Sequence, residues 1–588
     1  MPKIELQQDE LFRYSGRNFG ADELEEALTI AKAEIDDPVD KDGLIKIELN
    51  DTNRPDLWST AGLGRALRLY HATGNAAPTS AAAPAAAVNY DFFSRPESPV
   101  EAGNRRIVVD SELAERRPYI AAFAISGPPI AEVLLDDLIQ TQEKLCWNYG
   151  RKRKAIAMGV YREDKIQYPV RYRAVDPDCT TFVPLGLDNE LSLRQIIEQH
   201  PKGREFGGIV AALDKFPFLT DNSGAVLSFP PVINSADVGA VQAGDTNLFI
   251  EMTGTDLKPL LLACSIVACD LADAGYTVHP VQVEYPYDTP FGRTIVSPLY
   301  FQKPVSVELA YAERLLGVAL NEDEAVQRLG KMGVRAEAAS GLITAYPPEY
   351  RNDFLHPVDV VEDLMIGYGM NAFPSEPPRD FTVGRLTEAE IFSREVKTLL
   401  VGMGYQEMIF NYLGSRRDFI DNMYSHEQRT AAADACVRIA NPMSENFEFV
   451  RPSIIPQLLG AESVSAHAVY PHYIFEVGKV AVRDADDNYG SRTVTALGAV
   501  VADADAGFNL VSSQAAALFF YLGLEYEPSV VDDPRFLAGR VASLLVKGER
   551  VGILGELHPQ VLENWGVTVP CAVIELDLDH LQKAIGSD

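Results

Sequence analysis

The strings YIFEVGKVAV (473–482), VTALGAVVA (494–502), VASLLVKG (541–548) and RVGILGEL (550–557) decide the reading of the last third of the chain. Each is a short apolar run bounded by turn or charged residues, which is the pattern of strands, and helical or loop segments alternate with them. The region opens at Thr387, with Glu390 three residues on, a capping-box spacing that starts a helix running through Leu400. Residues 380–588 therefore read as an α+β unit built round a largely antiparallel sheet.

Upstream, the cluster Pro374, Pro377 and Pro378 closes a unit over 291–376. It holds a strand at VSVEL (305–309), a helix of type NEDEAVQRLGKMG (321–333), a strand at LITAY (342–346) and a helix beginning near Asp359. Residues 90–290 mix β-type runs with helical patterns over 131–146 and 257–274. The runs are RIVVD (106–110), YIAAFAISG (119–127), FGGIVAAL (206–213) and LFIEMTG (248–254), and Pro286 and Pro290 punctuate the end. The stretch AAPTSAAAPAAAV (76–88) offers nothing to bury, so 76–89 is expected to be a linker. It sets off an N-terminal α/β unit, 1–75. There Leu24, Ala27, Leu28 and Ala31 share a helical face, IKIEL (45–49) alternates like a strand, and Ser59 caps a helix carrying Leu63, Leu67 and Tyr70.

At 588 residues the chain exceeds a single core, and about 150 residues per domain predicts three or four. Its 47% hydrophobic and 23% charged residues exclude wholesale disorder, collagen and coiled coil. Acidic residues number 84 against 52 basic, a net charge of −32. Such a surface repels nucleic acid and anionic membrane at long range, so any phosphate backbone must be met by a local basic patch or a partner chain. The six cysteines never fall at C-x-x-C spacing, and the longest apolar run, 260–269, stops at Asp270. With no signal pattern in MPKIELQQDELFRY, a soluble, cytoplasmic protein with reduced thiols is expected.

No phosphate loop, dinucleotide fingerprint, zinc helix or nucleophile elbow occurs. His467 and His472 are a lone pair at i, i+5, better read as core or surface histidines than as zinc ligands. In RNDFLHPVDVVED (351–363), Asp359, Glu362 and Asp363 share a helical face, with Asp353 just upstream. Oxygen ligands at this density suit Mg²⁺, while an acidic first turn facing water accounts for them equally well. Between Glu143 and Arg173, nine basic residues stand against three acidic ones. Trp147, Tyr149, Tyr161, Tyr168 and Tyr172 are interleaved, which suits either frayed nucleic acid or a solvated basic loop. LSFPPVINS (227–235) and LFIEMTGTD (248–256) are rich in hydroxyls, and Glu251 and Thr253 share a strand face by their i, i+2 spacing. These residues and Ser228 can line one pocket, or cap turns.

ELNDTNRPDLWSTAGLGRAL (48–67) resembles the N-terminal signature of the phenylalanyl-tRNA synthetase β-chain family. The likeness continues in order through FVPLG (182–186) with PKGREFGGIV (201–210), LSFPPVINS, LFIEMTGTD, YRNDFLHPVDVVEDLMIGYG (350–369), RPSIIPQLLG (451–460) and 535–567. It is similar to the archaeal and eukaryotic type, because the sequence ends at Asp588 soon after IELDLDHL (574–581), where the bacterial type carries a further anticodon-binding domain. The resemblance implies an α2β2 heterotetramer whose α chain carries ATP, phenylalanine and the aminoacylation site. It implies a non-catalytic class II synthetase-like module docking the α chain at 380–588, a winged-helix-like domain at 291–376, and an editing domain at 90–290 that hydrolyses tyrosine misattached to tRNA(Phe). By the same likeness the editing pocket is Leu219, Ser228, Glu251 and Thr253, with Glu251 accepting the tyrosine hydroxyl proton, Leu219 packing the ring, and Ser228 and Thr253 placing the ester or an attacking water. A magnesium ion falls to Asp353, Asp359, Glu362 and Asp363, the last commonly Glu in the family. Arg451 is reminiscent of a catalytic-module arginine and is expected to be structural or at an interface. A free-standing aminoacyl-tRNA deacylase would not need 380–588, and the charge of −32 disfavours a non-catalytic nucleic-acid scaffold.

Overall fold

Ser59 caps the helix Thr60–Ala72, its Oγ accepting from the Gly62 amide at 3.0 Å. From this helix Arg65 reaches Asp270 at 3.0 Å and Asp273 at 2.8 Å on the helix Leu257–Asp273, and lies 4.1 Å over the Tyr350 ring. Burial pushes the Asp270 carboxyl up to about 7, against the pull of Arg65 and Ser59. The computed structural model describes residues 2–72, 90–378, 380–465 and 467–585. The linker expected at 76–89 lies outside the described residues. The chain divides into Met1–Glu376 and Pro377–Asp588.

Within the first unit, Lys3–Gln7, Leu44–Leu49 and Ala33–Asp37 form an antiparallel sheet whose inward residues Ile45, Ile47 and Leu49 are buried at period 2. The helix Thr60–Ala72 packs so closely on Gln8–Ser15 that a Cβ on Gly64 would lie 2.3 Å from Tyr14 Cβ. Gly64→Ala gains up to about 1 kcal/mol of helix propensity but meets an overpacking cost of about 1–3 kcal/mol. The clash dominates, because the atom it meets is the root of a buried side chain. Net destabilisation of about 1–2 kcal/mol is expected in urea unfolding, and a stabilised variant would refute this packing.

One continuous apolar core joins these elements to the largest sheet. Its order is Ile233–Asn234, Val226–Phe229, Phe216–Thr220, Val170–Val175, Arg106–Val109, Thr277–Glu284, Tyr119–Ser126, Asn247–Gly254 and Ile156–Arg162, with Thr294–Ser297 also paired to Thr277–Glu284. Ladders are antiparallel except on both sides of Arg106–Val109. The run FGGIVAAL is not a strand. Pro201 opens the helix Pro201–Phe206 behind the His200 cap, and Gly207–Ile209 continues it as a 3-10 turn. Gly203 permits this, since a Cβ there would lie 1.8 Å from the Ile196 carbonyl oxygen.

Val305–Glu308, Leu342–Tyr346 and Arg335–Ala339 make a small antiparallel sheet, covered by the helices Leu309–Leu316, Glu322–Lys331 and Pro357–Tyr368. Asn321 and Glu324 form a capping box at the start of the second helix.

The second unit carries a seven-stranded sheet ordered Gln406–Glu407, His472–Arg483, Ser491–Ala502, Cys571–Asp577, Glu549–Leu557, Phe536–Val546 and Glu527–Val530. It is antiparallel apart from the edge pair of Gln406–Glu407 with His472–Arg483. Helices Glu388–Gly402, Phe508–Tyr521 and Leu578–Ile585 pack with Leu497, Ala499 and Val501 on one face. Ile455–Val464 and Pro559–Trp565 pack with Val494, Ala496 and Val500 on the other. Burial of both faces is why VTALGAVVA is apolar at nearly every position.

Candidate functional site

Glu251 sits on Asn247–Gly254, between two antiparallel neighbours, opposite Ala122 on one side and Gly159 on the other. Residues paired across antiparallel ladders share a face, so a side chain at 159 would compete with Glu251 for space. Gly159 leaves that space open. A Cβ there would lie 2.7 Å from Glu251 Oε1 and 2.0 Å from the Tyr161 hydroxyl. Tyr161 fills the gap, its hydroxyl 2.8 Å from Glu251 Oε1 and 2.8 Å from Ser228 Oγ. With one proton on the phenol, Tyr161 donates to the carboxylate and accepts from the serine.

Ser228 lies on Val226–Phe229, directly across from Leu219 on Phe216–Thr220. Their strands are near one end of the sheet path, whereas Tyr161 is on the strand at the other end. The Tyr161–Ser228 bond therefore requires the sheet to curl until its ends face each other, enclosing Glu251. Thr253, two residues beyond Glu251, accepts a 2.9 Å hydrogen bond at Oγ1 from Nε of the buried Arg117. The four pocket residues are thus only partly brought together: Ser228 and Glu251 are bridged by Tyr161, Leu219 flanks Ser228, and Thr253 is engaged by Arg117.

The electrostatics follow from burial. Glu251 is 3% exposed, and desolvation pushes its carboxyl up to about 7, although Tyr161 and Arg117 favour the charged form. Desolvation lowers the Arg117 guanidinium and raises the Tyr161 phenol. Glu251 Oε2 is buried and has no hydrogen-bond partner among the described residues. An unpaired buried carboxylate oxygen costs about 1–3 kcal/mol or more, and such an orphan is a candidate ligand contact.

The acidic string is arranged differently from a cage. Arg351, 2% exposed, donates to Asp353 Oδ1 at 3.0 Å and Oδ2 at 2.6 Å, and to Asp363 Oδ2 at 2.5 Å and Oδ1 at 3.1 Å. Asp359 Oδ2 accepts from the Leu355 and His356 amides at 2.7 and 2.6 Å. Glu362 pairs with Lys32. As they stand the four do not form a closed set of ligands, because a guanidinium already neutralises two of them. Among the described residues no three Asp, Glu, His or Cys side chains converge on one point.

The basic stretch is also divided by strand periodicity. Tyr161 and Tyr172 are fully buried and face the core, while Arg171 and Arg173 point outward from Val170–Val175. Of the five interleaved rings, only Trp147 is exposed, 46% accessible.

In the second unit Arg451 is fully buried. Its guanidinium bonds both Glu476 oxygens at 2.8 and 2.9 Å, Gln457 Oε1 at 2.7 Å and the Lys479 carbonyl at 2.7 Å, so it serves the interior of the unit. His472 pairs with Glu462 at 2.9 Å, in keeping with a core histidine.

Residues 373–578 match the family profile described as phenylalanyl tRNA synthetase beta chain CLM domain, and residues 305–370 match the tRNA synthetase B5 domain. A curated phenylalanine–tRNA ligase beta subunit of Borreliella burgdorferi (strain ZS7) is 43% identical over 585 residues, covering 99% of this chain and 100% of that protein. The chain belongs to the phenylalanine–tRNA ligase β-subunit family. A further member, from Treponema pallidum subsp. pallidum, is 43% identical over 617 residues, with 99% and 100% of the two chains covered. The crystal structure of an N-terminal fragment of the phenylalanyl-tRNA synthetase β-subunit from Pyrococcus horikoshii is 34% identical, with a TM-score of 0.56. It covers 63% of this chain and 100% of the fragment. No described helix is long and apolar enough to cross a membrane.

Set against this β-subunit family, the residues that sequence reasoning misses are Tyr161, Arg117 and Gly159. Tyr161 stands in a basic, aromatic-rich stretch and reads there as one surface ring among several. Its signal is the alternation IAMGVYR, which sends Met158 and Val160 to one face and Gly159 and Tyr161 to the other.

Proposed function

We propose that the chain acts as the β subunit of a phenylalanine–tRNA ligase, with ATP, phenylalanine and aminoacylation assigned to an α subunit in an α2β2 assembly in the cytoplasm, and that the enclosure round Glu251 hydrolyses tyrosyl-tRNA(Phe). The observation that carries the pocket reading is the unpaired, buried Oε2 of Glu251, beside an Oε1 already held by Tyr161. A phenyl-binding site rejects one extra hydroxyl only modestly, so a second site must demand that hydroxyl, and an otherwise orphaned acceptor does so. In this reading Oε2 accepts from the substrate phenol, Leu219 packs its ring, and Ser228 and Thr253 position the ester and water. Water adds to the ester carbonyl, the bond from that carbon to the ribose oxygen breaks, and the proton ends on the ribose oxygen. Among the described residues no Ser-His-Asp or Cys-His set stands in the pocket, which favours an oriented water over an acyl intermediate.

The module 377–588, with its antiparallel sheet, is read as the class II synthetase-like, non-catalytic docking unit, and 305–370 as the winged-helix-like domain. The archaeal and eukaryotic type is proposed on the likeness to the Pyrococcus fragment, whereas the full-length relatives above are bacterial. Mg²⁺ is proposed on Pro357–Tyr368 through Asp359 and Glu362, which stand at i, i+3. The ion would keep most of its water, as it commonly does on one or two carboxylates, and no step of hydrolysis runs through it.

Co-expression with a phenylalanyl synthetase α chain should give a stable complex that charges tRNA(Phe). Within that complex, Glu251→Ala should lower tyrosyl-tRNA(Phe) deacylation by on the order of 100-fold while sparing phenylalanine charging. Unchanged deacylation would reject the pocket assignment.

A further inference from the structure

Ser228 Oγ, the Tyr161 hydroxyl and Glu251 Oε1 stand in one unbroken line of hydrogen bonds, 2.8 and 2.8 Å long. All three residues are buried, so bulk water does not interrupt the line. The order of protons along it follows from counting donors. The phenol has one proton and three acceptors around it: Glu251 Oε1 and Ser228 Oγ at 2.8 Å, and Asn234 Oδ1 at 3.5 Å. A charged acceptor makes a hydrogen bond roughly twice as strong as a neutral one, so the ionised carboxylate takes that proton. Ser228 then gives its own proton to the phenol oxygen and keeps a lone pair for whatever enters the enclosure.

Thr253 is set the opposite way. Its Oγ1 accepts from Arg117 Nε at 2.9 Å and, among the described residues, no acceptor takes its own proton. Arg117 is fixed in this role, because Nη2 also bonds the Thr253 carbonyl at 2.5 Å and Nη1 bonds the Lys154 carbonyl at 3.1 Å. The enclosure thus presents one hydroxyl as an acceptor and another as a donor. Hydrolysis of an ester by water needs that pair, since the water gives up a proton while the carbonyl oxygen gains charge.

Within electrostatic reach of Glu251 lie Arg117, Tyr161, Tyr172 on Val170–Val175 and Cys146 in the helical turn Leu145–Tyr149. Burial raises both phenols and pushes the thiol up to about 11, so none of the three releases a proton near neutrality. Glu251, at about 7, is the group there suited to take one.

We propose that Ser228, Tyr161 and Glu251 form a proton relay that deprotonates the attacking water, with Thr253 donating to the ester carbonyl oxygen. The inference deepens the pocket reading above and rests on it. As the water oxygen bonds to the ester carbon, the carbonyl electron pair moves onto its oxygen. One water proton passes to Ser228 Oγ while the serine proton goes to Tyr161 and the phenol proton to Glu251 Oε1. When the bond to the ribose oxygen breaks, the protons return along the same line, the ribose oxygen takes one, and Glu251 is again ionised. The freed carboxylic acid loses its proton to solvent. Oε2 remains an acceptor for the substrate phenol throughout.

Tyr161→Phe keeps the ring beside Phe249 and removes only the hydroxyl in the middle of the line. In the complex with the α subunit, kcat for tyrosyl-tRNA(Phe) deacylation should fall by about 100-fold, the scale of a lost general base, with KM unchanged. Ser228→Ala should cost as much, and the double variant no more than either single one, because the groups act as a unit. Ser228→Thr, which keeps a hydroxyl, should restore most of the rate. Wild-type kcat should drop in D2O, since protons move in the step, and Tyr161→Phe should lose that dependence, which a purely structural role for the phenol would leave in place. Wild-type kcat in Tyr161→Phe, or single losses that multiply in the double variant, would overturn the relay. Should Tyr161→Phe fail to fold, wild-type kcat in Ser228→Ala overturns it equally. Loss of deacylation in Glu251→Ala beside full activity in Tyr161→Phe would sink the relay alone, whereas unchanged deacylation in Glu251→Ala rejects the pocket itself.

Discussion

Glu251→Gln should make the folded chain more stable at pH 8 while abolishing its preference for a tyrosyl ester. The carboxyl titrates near 4.5 when solvated and about 7 in the enclosure, with burial as the largest cause. Between those values the folded state binds a proton that the unfolded state does not, so this group's contribution to stability falls as pH rises from 4.5 to 7 and then levels off. At pH 8 the penalty is on the order of 3 kcal/mol, at about 1.4 kcal/mol for each tenfold change in the protonation equilibrium. Glutamine keeps the shape and the Tyr161 contact without a charge to desolvate. Urea unfolding should therefore show the variant ahead by up to about 3 kcal/mol at pH 8 and by less than about 0.5 kcal/mol at pH 4.5. In the wild type, tyrosyl-tRNA deacylation should climb as pH passes 7, because only the ionised carboxylate has a charged Oε2 to receive a phenol, and the variant should be flat and slower by on the order of 100-fold. A variant with the same stability difference at both pH values would mean that Glu251 is not desolvated, and the account of its function would lose its physical basis.

How far the sequence anticipates these features depends on which neighbours a residue depends on. Local periodicity suffices for four of the second unit's strands, those holding YIFEVGKVAV, VTALGAVVA, VASLLVKG and RVGILGEL, and for Thr387, whose Oγ1 accepts from the Glu390 amide at 3.2 Å as its spacing predicts. It also identifies Ser59 as a cap. FGGIVAAL misleads because its apolar residues look like a strand, while the decisive feature, the close pass of Gly203 under the Ile196 carbonyl, is tertiary. The relation of Glu251 to Thr253 is visible from i, i+2 spacing, and both lie on one strand face. Tyr161 is not visible, because its position between Glu251 and Ser228 depends on a sheet curling far enough to bring its ends together. The acidic string shows a limit of another kind. Spacing along Pro357–Tyr368 predicts which carboxylates share a face, but not that Arg351, just ahead of the helix, folds back between Asp353 and Asp363.

Arg351→Met should accordingly have the largest destabilising effect in the first unit, and magnesium should partly reverse it. Burial alone would raise the Asp353 carboxyl, yet Arg351 and Arg54 hold it below the usual carboxylate range. At the more deeply buried Asp363 desolvation prevails and the carboxyl rises despite Arg351. Removing the guanidinium leaves two buried carboxyls without their shared cation, a change that costs about 3–5 kcal/mol for a single broken pair. Both carboxyls then shift upward, so the defect should be greatest above neutral pH and shrink as acid neutralises them. The same deletion frees Asp353 and Asp363 to join Asp359 and Glu362 as oxygen ligands, a charge density that favours a hard divalent ion. If an ion occupies that space, magnesium at about 100 times its dissociation constant should return about 2.7 kcal/mol of stability. The comparison is urea unfolding of wild type and variant in millimolar MgCl2 against NaCl of equal ionic strength. Equal midpoints for the variant in the two salts would show that these carboxylates do not constitute a magnesium site, even with their competing cation removed. A magnesium-specific rise would instead identify Arg351 as the group that keeps Asp353 and Asp363 from joining Asp359 and Glu362 in this conformation.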